Sequence, residues 1–245
     1  MRGITETVKH LIIINGIFFF ASGLLGGTFS DLMALHFYMN VSFQPWQPLT
    51  HMFMHGGIYH LFFNMLGLWM FGSPLEQMWG RQKFLFYYFS TGIGAAALQM
   101  AAYAFNFHSG VDALQAAGFS SAEILDTLVT GKYNTAWLEV LSQSDIGSLY
   151  SSYMSSMVGA SGALYGILVA FAFTFPEIPL MLLFIPFPIK AKYFVPLLII
   201  GDLFFGFSSV SVGPIAHFAH VGGALTGFLM MYFWKRNQFN QNRWD

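Results

Sequence analysis

Residues 215–234 read IAHFAHVGGALTGFLMMYFW. The run holds no carboxylate, lysine or arginine, and its length matches the roughly 20 residues that a helix needs to cross a bilayer. It nevertheless carries His217 and His220, while Gly223 and Gly227 lie four residues apart on one helical face. An imidazole is costly beside acyl chains, so such a helix is expected to turn that face toward a cavity or partner helices.

Five other apolar runs, near 10–28, 53–72, 84–105, 157–175 and 192–207, are bounded by charge or by Gly, Pro and Asn. The 245 residues are 56% hydrophobic and 9% charged, against about 25% charged in soluble domains. A soluble body of this size would lack a polar coat. The pattern therefore predicts an all-α membrane protein, a single domain over residues 1–245 built as a six-transmembrane-helix bundle. The first run follows Arg2 and Lys9 as a signal peptide would. Five more spans and no clear small-residue cleavage site make it, in expectation, a retained anchor.

Basic residues in short loops stay on the cytoplasmic side. With both termini inside, Arg2, Lys9, Arg81, Lys83, Lys190, Lys192, Lys235, Arg236 and Arg243 fall there, and Lys132 alone falls outside. Residues 106–156 carry Asp112, Glu123, Asp126, Glu139 and Asp145 and read as an outside loop. Within it, Ser120 and Glu123 have capping-box spacing ahead of a short helix ending at Gly131. The run from Ile178 to Ile189, broken by Pro179, Pro186 and Pro188, is too proline-rich for a regular span and is expected to skim the inner surface.

A net charge of −1 gives no case for a nucleic-acid partner. With no cysteine, thiol chemistry, thiolate metal sites and disulfides are excluded. Nucleophilic chemistry must come from oxygen. His60 and Asn64 share a face in the second run, Gly159-Ala160-Ser161-Gly162 opens the fourth, and His220 stands in the sixth. These three runs share a direction through the membrane, so Ser161, His220 and His60 are expected at one level, about a turn in from the outer helix ends. Such a set can perform acyl transfer. His220 would accept the Ser161 proton, and the Ser161 N–H, the Asn64 amide and the His60 ring could receive the oxyanion. No acidic residue is evident behind His220, so the spacing predicts a dyad. Gly162 with Gly166, and Gly223 with Gly227, give the small-residue stripes that let two helices approach closely.

These residues resemble the rhomboid intramembrane serine proteases over roughly residues 10 to 235. Gly159-Ala160-Ser161-Gly162 resembles their GxSG motif, Ala219-His220 through Gly223 and Gly227 their AHxxGxxxG motif, and His60 with Asn64 their HxxxN pair. The resemblance implies that Ser161 and His220 are catalytic and that Tyr165 is the aromatic under the histidine ring. It implies a polar lead-in at His51 and His55, and an ExxxG end to the second helix at Glu76 and Gly80. Trp46 and Gln47 stand where many members have Trp-Arg. The implied substrates are single-span membrane proteins cut near the outer face, without a cofactor. The absence of a targeting presequence and the minimal six spans favour a bacterial inner membrane.

Competing readings come from the same residues. Ser161 alone would be a packing serine, and His217 is a rival base without the glycine spacing. His51, His55 and His60 could hold a metal, although no HExxH pattern accompanies them. The alternative function is a non-enzymatic transporter or metal-binding membrane protein. It would call for inverted repeats or paired broken helices, and neither is evident. Asp202, an acid within the fifth run, is open to a functional or a purely structural role.

Overall fold

The chain's first long helix, α1 (Glu6–Leu25), is capped from a distance. The computed structural model describes residues 3–181, 187–208 and 216–241, with side chains through residue 236. Arg2, Pro186, Ile215 and Arg243 lie outside the described residues. Thr5 makes no side-chain cap to α1. Instead the Glu76 carboxylate accepts the amides of Thr7 and Val8, each at 3.0 Å, and the hydroxyl of Thr5. Orphan amides at a helix start are thereby satisfied.

After α2 (Gly27–Met33), strand β1 (Leu35–His36) pairs antiparallel with β2 (Ser156–Met157), Leu35 opposite Met157. A short helix, α3 (Gln47–Thr50), and a 3-10 turn (His51–Phe53) precede the second apolar run. Its helix starts at Ile58 rather than near 53. There α4 (Ile58–Gly67) passes through a π turn (Leu68–Gly72) into α5 (Ser73–Trp79). Pro74 lacks an amide hydrogen and its ring would strike the carbonyl four residues back, a conflict that the widened turn removes.

The largest departure from the sequence reading is α6 (Arg81–Ala116), whose 36 residues make it about 54 Å long. It overshoots the ~30 Å hydrocarbon core, and the predicted outside loop is a helical cap folded on the overshoot. The cap comprises α7 (Ser121–Val129), a 3-10 turn (Thr135–Glu139) and α8 (Gln143–Met154). It closes over Phe37, Phe107, Leu114, Ile124, Leu128 and Trp137, a buried cluster of its own. The Ser120 hydroxyl accepts the Glu123 amide at 3.2 Å, as the capping spacing anticipates.

Three further helices follow: α9 (Ser161–Thr174), α10 (Ala191–Phe207) and α11 (His217–Gln241). Strands β3 (Pro179–Leu180) and β4 (Ile189–Lys190) pair between α9 and α10, so the described flanks of the proline-rich run form a hairpin. Glu177 ties it down by pairing with Lys190 at 2.7 Å and Lys192 at 2.5 Å.

At the centre, α6, α9 and α11 meet at their small residues. A Cβ on Gly162 would lie 2.4 Å from the Ala95 Cβ, and one on Gly227 would lie 2.9 Å from Gly166 Cα. The Tyr87 hydroxyl donates to the Gly166 carbonyl at 2.8 Å, locking α6 to α9. Outward, α1 exposes Ile17, Phe20 and Leu24, and α10 exposes Ile200, Phe204 and Phe207. Apolar exposure on this scale marks surface that is covered by something other than water. Among the described residues, one helix, α1, is long and apolar enough to cross a membrane by length and composition, and α9 is a shorter apolar helix.

Candidate active site

The site is assembled from the start of α9, the start of α11 and the loop ahead of α4. Ser161 is the first residue of α9, so it sits at the helix mouth rather than a turn inside it. Its Oγ lies 2.9 Å from His220 Nε2. The Tyr165 ring, one turn along α9, stacks on the His220 imidazole with centroids 4.2 Å apart and planes within 9°. Gly159, at φ +123°, makes the bend that presents Ser161. That backbone region is open to glycine at little cost. A Cβ there would also fall 2.8 Å from His60 Nε2 and 3.6 Å from Ser161 Oγ, so these two side chains flank the same small space.

The closeness of the pair follows from Gly223. A Cβ on it would stand 1.9 Å from the Gly162 carbonyl oxygen, so α9 and α11 touch backbone to backbone one turn beyond His220 and one residue beyond Ser161. The Gln99 side chain of α6 accepts the Ala219 amide at 3.1 Å, fixing the start of α11 beside His220. On the opposite wall, the Gly159 amide donates to the His51 carbonyl at 2.9 Å, and a His51 ring nitrogen lies 2.9 Å from the Gln47 carbonyl.

A cavity of about 600 Å³ opens over this arrangement, bordered by His51, Gly56, His60, Gly159, Ser161 and His220. Asn64 does not border it. It lies one turn further along α4, buried, with its amide donated to the His60 carbonyl at 2.9 Å. His55 is buried with its ring 5.0 Å from that of His60. Among the described residues no group of three His, Asp or Glu side chains is placed to hold a metal.

One expectation fails outright. The sequence reading found no acid behind His220, yet Asp202 of α10 places Oδ1 3.1 Å from His220 Nδ1. The same oxygen lies 2.6 Å from Nδ1 of His217, the rival base, which is thereby engaged away from Ser161. Asp202 stands 18 residues before His220 in the chain, and only the packing of α10 on α11 brings them together.

The family model described as the rhomboid domain matches residues 42–142 and 127–237. This chain belongs to the rhomboid family. The two matches overlap within the helical cap, over residues 127–142. The rhomboid protein 1 of mitochondria from Saccharomyces cerevisiae is 26% identical over 182 residues, covering 74% of this chain and 39% of that protein. The rhomboid protease GluP of Bacillus subtilis is 46% identical over 48 residues, 20% of this chain and 10% of that protein. The chain thus spans less than half the length of these relatives. Family membership and the helical architecture make it an all-α membrane protein.

Sequence reasoning noted Gln47 only as a residue standing where many members have arginine, and it missed Gln99. Gln47 is fully buried. Its amide donates to the carbonyls of Asp31 at 3.1 Å and Ser42 at 2.9 Å, and its oxygen accepts the His36 amide at 3.2 Å, so it knots the loop that carries the cavity wall. A polar residue within an apolar run was the available signal for Gln99.

Proposed function

We propose that this rhomboid is an intramembrane serine endopeptidase that cuts single-span membrane proteins near the outer face of the bilayer. The observation that carries the proposal is the 2.9 Å approach of Ser161 Oγ to His220 Nε2 at the floor of an open cavity. A serine hydroxyl is a weak nucleophile until an adjacent base takes its proton. Here Oγ attacks the scissile carbonyl carbon while its proton passes to His220 Nε2. The tetrahedral intermediate collapses with cleavage of the C–N bond, and the same proton goes to the departing amine. Water then hydrolyses the acyl-enzyme by the reverse proton path.

The oxyanion requires fixed donors. The Ser161 amide belongs to the first turn of α9, where amides have no partner inside the helix, and the helix dipole favours negative charge there. The His60 ring borders the same space. Asn64 contributes through His60, whose carbonyl it engages. Gly159, Gly162, Gly223 and Gly227 support the site by close packing, and Tyr165 holds the imidazole face.

In this proposal the six helical segments α1, α4 with α5, α6, α9, α10 and α11 each span the bilayer of a bacterial inner membrane. Both termini are cytoplasmic, and the chain is one domain whose helical cap stands outside. The cavity opens to the outer side, which admits water. Purified protein in vesicles with a single-span reporter tests the reading. Cleavage by the parent protein, lost in Ser161→Ala and His220→Ala and unaffected by chelators, supports it. Cleavage that survives Ser161→Ala overturns it, and abolition by chelators returns the argument to the metal reading.

A further inference from the structure

We infer that Asp202 is a positioning residue that completes a Ser161–His220–Asp202 triad, in place of a two-residue pair. The inference rests on the proteolytic reading and adds a third member to that site. His220 must present Nε2 without its hydrogen in order to accept the Ser161 proton, and a neutral imidazole carries its hydrogen on one nitrogen or the other. An ionised carboxylate only accepts hydrogen bonds. With Asp202 Oδ1 3.1 Å from Nδ1, the hydrogen is drawn to Nδ1 and Nε2 is left as the acceptor facing Ser161 Oγ at 2.9 Å. The carboxylate therefore selects the productive tautomer and stabilises the imidazolium formed during attack.

The surroundings suit that task. Asp202 is buried at 7% exposure, and a buried carboxylate must be hydrogen-bonded. His217 and His220, three residues apart on α11, present their Nδ1 atoms to the same oxygen at 2.6 Å and 3.1 Å. His217 anchors the acid. Its ring lies against Phe205, with centroids 5.8 Å apart, and it has no bond to Ser161. Tyr165 stacks on His220 and so fixes the ring plane, while Asp202 fixes the rotation within that plane. Three elements, α9, α10 and α11, thus hold one imidazole.

The shorter bond to His217 raises a structural alternative, in which Asp202 serves only to tie α10 to α11 through His217. The experiment separates the two. In the full chain, reconstituted with the single-span reporter, Asp202→Asn keeps the shape and removes the charge, and His217→Gln removes the anchor. The triad predicts that Asp202→Asn lowers kcat by roughly 10²- to 10⁴-fold with KM within about threefold. His217→Gln should lose less than about tenfold. Nitrogen NMR of the labelled His220 ring should place the hydrogen on Nδ1 in the parent protein and shift it toward Nε2 in Asp202→Asn, a change that a helix tie would not produce. Equal losses in both variants, or an unchanged ring tautomer in Asp202→Asn, overturn the inference. If the parent protein itself fails to cleave while the ring still shows the Asp202-dependent tautomer, the proteolytic reading fails and the positioning role stands.

Discussion

Replacing Gly223 by alanine puts the helix contact behind the proposed Ser161–His220 pair to a direct test. The added Cβ would sit 1.9 Å from the Gly162 carbonyl oxygen, where ordinary contact begins at 3.4 Å, so α9 and α11 must part by about 1.5 Å at that level. The obstacle is backbone, which cannot rotate aside as a side chain would. Overpacking of this kind costs about 1–3 kcal/mol, so the protein should still fold, with a lower melting temperature. The effect on activity is larger. Ser161 and His220 lie within one turn of the wedge, and their 2.9 Å hydrogen bond would stretch beyond bonding distance. A displacement of about 1 Å can cost on the order of 10²-fold in rate, so kcat/KM should fall at least that far. Gly201→Ala is the matched control, because a Cβ on Gly201 of α10 meets nothing within 4 Å. Reporter cleavage and fluorophosphonate labelling, each normalised to folded protein, give the readout. Wild-type rates in Gly223→Ala would refute the geometric argument.

Gln47→Ala should destabilise the protein by about 1–3 kcal/mol, because it leaves the buried His36 amide without its acceptor and the half-buried Ser42 carbonyl without its donor; equilibrium unfolding in mixed detergent measures this, and an unchanged midpoint would contradict the role given to Gln47. The Glu76 carboxylate accepts the Thr7 and Val8 amides and the Thr5 hydroxyl at the start of α1, and a hydrogen bond to a charged acceptor contributes more than one to a neutral acceptor. Glu76→Gln should therefore lower the melting temperature, as thermal unfolding in detergent measures, and an unchanged value would contradict the capping role given to Glu76.

Which parts of this architecture can be read from the sequence has a physical basis. The apolar runs announce α1, α9 and α10 because lipid or core packing requires unbroken hydrophobicity there. Ser161, His220 and the glycines between their helices are legible because a polar group or a Gly stripe in such a run needs a reason. The extension of α6 is harder to see. Beyond residue 105 it carries His108, Ser109 and Asp112 among its apolar residues, and the helical spacing of Phe107, Gly110 and Leu114 is the sole sign that it continues. The start of α4 at Ile58 is obscured because Met52, Phe53 and Met54 extend the apolar run through a segment that is not continuous helix. Asp202 reaches His220 through the packing of α10 on α11, and no spacing rule in one chain encodes that contact. Gln47 is silent for a related reason. Its partners, Asp31 in α2, His36 in β1 and Ser42 in the loop that follows, come from short elements that no periodicity links.

The central claim is that Ser161 is the nucleophile and His220 its base, and mapping a covalent adduct tests it most directly. Purified protein treated with a fluorophosphonate and digested for mass spectrometry should carry the phosphonyl group on the peptide containing Ser161, and His220→Ala should carry almost none. A modified residue other than Ser161, or full modification of Ser161 in His220→Ala, would contradict the account.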